Sequence, residues 1–150
     1  MKIKTNNLHE TLDLGKKFAK KIHGGEVFVL HGDLGAGKTA FVKGVAKGLG
    51  IKKTVTSPTF ILMKMYEVKG KDESKKLKGQ LKKLLHIDTY RGVSEDDLIN
   101  LGAMELLGRK DTVAFIEWGI GLIPYLKKSK IKVKKIIIKN IDKNTRVFEF

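Results

Sequence analysis

The sequence predicts a three-layer α/β domain with a mainly parallel central sheet and antiparallel strands at its edges. Strand-like segments alternate with helix-compatible segments through the middle of the chain, and two more strand-like segments close it. Two of the apolar strands end in a carboxylate, at Asp88 and at Glu117. Such alternation is typical of a parallel sheet covered by helices on both faces. The 150 residues suit a single domain over 1–150.

The first 30 residues predict a strand, a helix and a second strand. Residues 1–5 have the character of a short strand, and residues 8–21 have an amphipathic helical pattern. Gly24-Gly25 ends that helix and leads into an apolar strand over residues 27–30. The apolar positions of the helix fall mostly on one face and are Leu8, Leu12, Leu14, Phe18, Ala19 and Ile22.

A glycine-rich loop follows the 27–30 strand. Residues 32–39 read Gly-Asp-Leu-Gly-Ala-Gly-Lys-Thr, and a helix-compatible run follows at 40–49. The glycines let backbone N–H groups point at phosphate oxygens, and the helix N-terminus adds its positive dipole end. Lys38 would reach the β and γ phosphates, and the Thr39 hydroxyl would take one Mg²⁺ position. The loop therefore matches the phosphate-binding P-loop pattern in the strand–loop–helix setting that this motif needs.

The strands at 84–88 and 113–117 each offer an acid to the same site. Parallel strands place their carboxyl ends at one edge of the sheet, where ligands of such sheets bind. Mg²⁺ prefers oxygen ligands and usually has a carboxylate behind Thr39, directly or through water. Spacing does not choose between Asp88 and Glu117, so one would hold the metal while the other orients the attacking water. The structural alternative is that either acid caps a turn or pairs with Arg91.

Between the P-loop helix and the 84–88 strand, the sequence predicts a strand and a charged insertion. Residues 59–66 follow Pro58 and have strand character. Ser57-Pro58-Thr59 is interpreted either as a segment that senses the γ-phosphate or as a proline-rigidified turn. Residues 67–83 contain a lysine-rich run at 69–76 and indicate a surface insertion or hairpin tip. This insertion is either solvated or in contact with RNA or a partner.

The remaining segments complete the alternation. Ser94 caps a predicted helix whose first turn is acidic, and a short second helix ends at Gly108. Residues 121–127 predict a last helical turn, and residues 131–139 and 146–150 predict a hairpin of two strands. Trp118 is interpreted as a core residue rather than a stacking surface. The histidines show no ligand spacing and are interpreted as structural or surface residues: His9, His23, His31 and His86.

The composition bounds location and partners. No apolar stretch approaches the roughly 20 residues that span a bilayer, and the first residues lack the apolar segment of a signal peptide. The chain has no cysteine, which excludes disulfides and thiolate metal sites. We expect a cytoplasmic protein without membrane contact. The net charge is +15, and almost all of the basic residues are lysine. This composition favours a lysine-rich surface over an RNA interface that reads bases.

Four ordered motifs resemble those of the TsaE (YjeE) family, small bacterial P-loop ATPases required for threonylcarbamoyladenosine (t6A) modification of tRNA. The similarity covers roughly residues 11–60 and 84–118, with a weaker tail to Arg146. The motifs are the loop at 32–39, Ser57-Pro58-Thr59-Phe60, His86-Ile87-Asp88-Thr89-Tyr90-Arg91 and Ile116-Glu117-Trp118.

The resemblance implies ATP and Mg²⁺ as cofactors and a weak, partner-stimulated ATPase activity. This activity would support a TsaB–TsaD complex in the threonylcarbamoylation of adenosine 37 in tRNA, and tRNA would be reached only through that complex. Glu117 would be the Mg²⁺ carboxylate beside Thr39, Asp88 would position water, and Lys38 would complete the catalytic set. The implied nucleotide-binding residues are Leu8, Thr11, Asp33, Leu34, Gly35, Ala36, Gly37, Lys38, Thr39, Ala40 and Arg146.

The departures from the family pattern leave Lys38, Thr39, Asp88 and Glu117 unchanged. Ala40 stands where the family often has a second threonine, and Gly119 stands where it usually has proline, which would loosen that loop. Two other classes remain open. A small-molecule P-loop kinase would need a basic lid, for which residues 67–83 are the candidate, although they lack arginine. A nucleotide-switched RNA-binding module would bind tRNA directly.

Overall fold

The structure, a computed structural model, describes residues 1–58, 62–68 and 81–150. Short 3₁₀ turns lie at Ala103–Glu105 and Gly119–Leu122. The α-helices are α1 (Leu8–Ala19), α2 (Lys38–Gly48), α3 (Glu95–Asn100) and α4 (Ile123–Lys128). The strands are β1 (Lys2–Thr5), β2 (Val27–His31), β3 (Met63–Glu67), β4 (Lys83–Asp88), β5 (Thr112–Glu117), β6 (Val133–Asn140) and β7 (Arg146–Glu149).

These strands form one sheet with the order β1-β7-β6-β2-β5-β4-β3. The four central strands β6, β2, β5 and β4 run parallel to one another. The outer pairings, β1 with β7, β7 with β6, and β3 with β4, are antiparallel. The predicted α/β class, with a parallel centre and antiparallel edges, is therefore confirmed.

Alternate side chains of the central strands pack on opposite faces of the sheet. Phe28 and Phe115 lie on the face that α1 and α2 cover, where Phe41 of α2 is fully buried among them. Val29 lies on the other face, in a cluster with Leu126 of α4. Successive side chains of a strand point to opposite faces of the sheet. Both faces of these strands are apolar because helices cover both. Helices on both faces make the three predicted layers.

Helices α1 and α2 approach each other at glycines. A Cβ atom placed on Gly44 would lie 2.2 Å from the carbonyl oxygen of Leu12, and one on Gly15 would lie 2.3 Å from that of Phe41. The two backbones are therefore in direct contact, and neither position has room for a side chain. This contact fixes α2, whose first turn carries Lys38 and Thr39.

Several predicted elements differ from those in the structure. The strand predicted over 59–66 begins at Met63, because Leu62 has a left-handed backbone with φ of 63°, while residues 59–61 lie outside the described residues. The helix predicted to end at Gly108 is only the 3₁₀ turn at Ala103–Glu105. Leu8 was predicted to share the buried face of α1, yet it is 62% exposed because it lies at the start of the helix beside a cleft.

Part of the predicted insertion belongs to the sheet. Glu67 pairs with Lys83 in the antiparallel ladder of β3 and β4, and Val68 and Leu81 are buried. The ends of the 67–83 segment are therefore structured, which contradicts a purely solvated insertion. The lysine-rich centre, and with it the lid that a kinase would need, lies outside the described residues at 69–80. In the part of the chain that is described, no helix is both long and apolar enough to cross a membrane.

The glycine contact between α1 and α2 can be tested with Gly44→Ala. In an exposed helix this change gains up to about 1 kcal/mol, because alanine favours the helical backbone. Here the new methyl group meets the Leu12 carbonyl, so we expect the free energy of unfolding to fall by about 2 kcal/mol. Urea denaturation measures it. Gly121→Ala, where a Cβ atom would meet nothing within 4 Å, is the control; equal stability of the two variants would refute the packing argument.

Candidate functional site

A cleft of about 390 Å³ opens at the carboxyl ends of the parallel strands, beside the glycine-rich loop. Every residue predicted to bind or act on a nucleotide lines it, apart from Asp33. The fold thus brings together residues from α1, from the loop, from the ends of β4 and β5, and from the start of β7. The lining consists of Leu8, Thr11, Leu34, Gly35, Ala36, Gly37, Lys38, Thr39, Ala40, Ser57, Asp88, Tyr90, Glu117, Trp118 and Arg146.

The loop depends on backbone conformations that glycine supplies. Gly37, which directly precedes α2, has a φ of 99°, a left-handed conformation that other residues adopt only under strain. A Cβ atom on Gly32 would lie 2.4 Å from the carbonyl oxygen of Ile138. Gly37 also offers no side chain to cap the free N–H groups in the first turn of α2. A helix end of this kind binds anions, because its free donors and its dipole both favour negative charge.

Lys38 is held beneath the loop by backbone oxygens. Its Nζ donates hydrogen bonds to the carbonyl oxygen of Gly32 at 2.6 Å and to that of Asp33 at 2.8 Å. Burial lowers the pKa of Lys38, since loss of water disfavours the charged form. The negative charges of Glu117, Asp88 and Asp33 oppose this shift. Asp33 therefore contributes a carbonyl oxygen and a charge to the loop, although its side chain is exposed and does not line the cleft.

Thr39 and Glu117 contact each other across the cleft. The Thr39 hydroxyl donates to Oε1 of Glu117 at 2.8 Å, and the same oxygen lies 2.7 Å from Nε2 of His86. Glu117 is 3% exposed and His86 is fully buried. Two side chains therefore hold one oxygen of the Glu117 carboxylate. The Thr39 hydroxyl oxygen keeps both lone pairs, because the hydroxyl is the donor in this hydrogen bond. A hydroxyl and a carboxylate are oxygen donors of the kind that Mg²⁺ prefers, so these residues fit that ion.

Asp88 lies next to Glu117 on the neighbouring parallel strand, where the two residues are in register. Its Oδ1 accepts a hydrogen bond from the backbone N–H of Tyr90 at 2.9 Å, and its Oδ2 accepts one from the Ser57 hydroxyl at 3.2 Å. Asp88 therefore contacts the Ser57-Pro58-Thr59 segment, whereas Glu117 contacts Thr39. Thr59 itself lies outside the described residues. The two acids, which spacing could not separate, have different partners in the structure.

The other side of the loop is flanked by Thr11 and Arg146. A Cβ atom on Gly37 would lie 3.6 Å from Cδ of Arg146 and 3.7 Å from Cγ2 of Thr11. Thr11 is held by Thr5, whose hydroxyl oxygen is 3.0 Å from that of Thr11. Arg146 donates from Nη1 to the carbonyl oxygen of Asn144 at 2.6 Å. The two residues are far apart in sequence, and the fold brings them together beside the loop.

Two aromatic residues lie at the mouth of the cleft. The rings of Tyr90 and Trp118 have centroids 5.0 Å apart, and the Lys38 ammonium lies 3.8 Å from the centroid of the Trp118 ring. Trp118 is only half-buried, so the interpretation of this residue as part of the core is wrong. It borders the cleft because it directly follows Glu117 at the end of β5.

Sequence reasoning missed the position of His86. The absence of ligand spacing suggested a structural or surface residue, but the ring contacts Glu117 in the interior of the site. A signal was present, because residues two apart in a strand point to the same face, and Asp88 follows two residues later. Within the described residues, no cluster of three or more histidine, cysteine or acidic side chains could hold a metal by itself. A metal at Thr39 and Glu117 would therefore need further oxygens from a ligand.

The fold and the cleft define an α/β protein with a P-loop sequence between a central parallel strand and the following helix. The chain belongs to the TsaE family: the family's sequence model, described as "Threonylcarbamoyl adenosine biosynthesis protein TsaE", matches residues 5–147. The resemblance drawn from the four motifs is thereby confirmed.

Individual relatives agree with this assignment. The chain is 39% identical to the TsaE protein of Treponema pallidum, over 79% of this chain and 78% of the relative. It is 36% identical to the TsaE protein of Bacillus subtilis, over 100% of this chain and 84% of the relative. Both relatives are named as tRNA threonylcarbamoyladenosine biosynthesis proteins. The crystal structure of YdiB from Bacillus subtilis superposes with a TM-score of 0.66 at 31% identity, covering 99% of this chain and 82% of YdiB.

The buried position of Lys38 predicts a pH dependence of stability. Because the pKa of Lys38 in the folded protein lies below its ordinary value of 10.5, the unfolded chain binds more protons between those two values. The free energy of unfolding contributed by Lys38 therefore rises with pH across that window and is constant below it.

We expect the wild type to gain stability relative to Lys38→Met as the pH rises through this window. Urea denaturation of both proteins at several pH values up to 10.5 measures the difference. Lys43→Met, made on the exposed side of α2, controls for the loss of one lysine. A difference that stays constant, or that moves against the wild type, would contradict the assignment.

Proposed function

We propose that this chain is a weak Mg²⁺-dependent ATPase that supports a TsaB–TsaD complex in the threonylcarbamoylation of adenosine 37 in tRNA. The observation that carries the ATPase part is the contact of Thr39 with Glu117 beside a P-loop helix end. Membership of the TsaE family supports the place of the chain in t6A biosynthesis. The transfer of the threonylcarbamoyl group is assigned to the partner complex.

The proposal assigns roles to the residues of the loop and of the strand ends. The loop N–H groups and Lys38 would bind the phosphates, and Thr39 and Glu117 would hold Mg²⁺, which would neutralise charge on the phosphate oxygens. Asp88 accepts hydrogen bonds from the Tyr90 N–H and the Ser57 hydroxyl, which support it as the acid that orients water. Thr11 and Arg146 contact the part of the nucleotide that lies beyond Gly37.

The expectation that the intrinsic activity is weak rests on which positively charged side chains line the cleft. Among the described residues that line it, Arg146 is the one arginine, and it lies on the Thr11 side of the loop rather than beside Asp88. P-loop enzymes hydrolyse nucleotides slowly until an arginine stabilises the charge of the transition state, an effect of about 10³–10⁵-fold. We therefore expect a partner to complete the site.

His86 is proposed as the residue that positions Glu117. Its ring is buried without another hydrogen-bond partner in the described residues, since Nδ1 has none. The contact of Nε2 with Oε1 adds to that of Thr39, so two side chains hold the carboxylate that would bind Mg²⁺. Residues behind a metal ligand orient it and tune its affinity in this way.

Nucleotide binding tests the proposal directly. We expect ATP with Mg²⁺ to bind the wild type in a calorimetric titration. Lys38→Ala should weaken binding by about 100-fold or more, because it removes charge-assisted contacts to the phosphates.

Asp88→Asn should keep the affinity for ATP but lose hydrolysis. Hydrolysis by the wild type should be slow alone and faster with TsaB–TsaD; rapid turnover without a partner would overturn the proposal.

The role of His86 is separable from simple stability. In EDTA, His86→Leu should bind ATP as tightly as the wild type does. The factor by which Mg²⁺ increases the affinity for ATP should be about tenfold smaller in this variant. His86→Gln should recover that effect, since its amide can donate to Glu117. Leu85→Ala, a buried change on the opposite face of the sheet, is the stability control. Equal loss of affinity with and without Mg²⁺ would make His86 a structural residue only.

A further inference from the structure

A second cleft, of about 460 Å³, adjoins the first between the start of α1, the outer side of α2 and the segment after it. Leu8 and Ala40 line both clefts, so the two are continuous across these side chains. None of the proposed catalytic residues reaches the second cleft. Its lining is therefore not explained by nucleotide binding.

The rim of this cleft is made of lysines. Lys43 and Lys47 lie one turn apart on α2, and Lys52 and Lys53 lie on the segment that follows; all four are exposed. No carboxylate is among the described residues that line the cleft, and none of the four forms an ion pair with the described part of the chain. Some lysines elsewhere are compensated by a carboxylate, as Lys134 is by Glu26 and Lys139 is by Glu149. The rim therefore has uncompensated positive charge.

The floor of the same cleft is apolar. Ala46, Ile51 and Val55 are buried beneath the lysines, Leu12 is half-buried, and Leu8 extends from α1 with 62% of its surface exposed. A sugar–phosphate backbone would neutralise the rim but would leave this floor uncovered. Among the described residues, the lining contains no aromatic side chain on which a nucleic-acid base could stack. Acidic side chains together with apolar ones would match both the rim and the floor.

We propose that this lysine-rimmed cleft binds a segment of a protein partner that carries acidic and apolar side chains. Its continuity with the first cleft places that segment against Leu8 and Ala40, at the edge of the proposed nucleotide site. The proposal rests on the proposed function in one respect, that the partner is the TsaB–TsaD complex. The partner site and the nucleotide site would then share Leu8 and Ala40.

Charge reversal tests the cleft. Lys43→Glu with Lys47→Glu should weaken binding to purified TsaB–TsaD, measured with ATP and Mg²⁺, by about tenfold or more and should flatten its dependence on salt. Lys127→Glu with Lys128→Glu is the matched control, because it makes the same change of charge at the end of α4 on the opposite face of the sheet. The control should change the affinity by less than about twofold. Unchanged ATP affinity shows that the Lys43/Lys47 variant is folded.

The outcomes separate the two proposals. If the wild type binds TsaB–TsaD and both double variants bind equally well, the cleft proposal is overturned and the proposed function stands. If the wild type does not bind TsaB–TsaD, the proposed function fails, and the cleft is judged with a synthetic peptide of glutamate and leucine against an RNA oligonucleotide of equal charge. Peptide binding that only the Lys43/Lys47 variant loses supports the cleft. Absence of such binding, or a preference for RNA there, overturns it.

Discussion

The hydrogen bond from Thr39 to Glu117 joins residues that are 78 positions apart, and the rest of the site depends on it. It requires that β2 and β5 pair in parallel with Leu30 opposite Glu117, and that α2 begins directly after the loop. A slip of one residue in β5 would turn the carboxylate to the other face of the sheet. The apolar alternation that buries Phe115 on one face and Ile116 on the other therefore also sets the geometry of the site.

The same arrangement concentrates buried charge. Lys38, Asp88 and Glu117 are each at most 5% exposed and lie around one end of the sheet. Buried charges destabilise a fold unless they are paired or hydrogen-bonded, and here each has named partners: loop carbonyls for Lys38, Tyr90 for Asp88, and Thr39 with His86 for Glu117. The lowered pKa of Lys38 shows that its desolvation is not fully offset. Such residual cost is typical of sites shaped for a ligand rather than for stability.

The sequence predicted those features of the fold and the site that depend on short stretches of neighbouring residues. The loop at 32–39, the strand ends at Asp88 and Glu117, and the cap at Ser94 each depend on a few neighbouring residues, and the structure has them where the sequence placed them. The contact of His86 with Glu117 could not be predicted, because it depends on the register of β4 against β5. The close approach at Gly44 likewise depends on how α1 crosses α2. The different hydrogen-bond partners of Asp88 and Glu117 also depend on tertiary packing, so the sequence could not predict them.

The segment after β5 shows how tightly the sheet controls the cleft. Gly119 was expected to loosen this loop, yet it is buried, and a Cβ atom there would lie 2.6 Å from Cγ2 of Ile116. Trp118 before it has a φ of 65°, and its N–H donates to the carbonyl oxygen of Leu30. This packing fixes the direction of the ring, which lies against the Lys38 ammonium, where the contact favours the charged form. Consecutive residues at the end of one strand therefore serve consecutive residues at the start of one helix, Glu117 holding Thr39 and Trp118 covering Lys38.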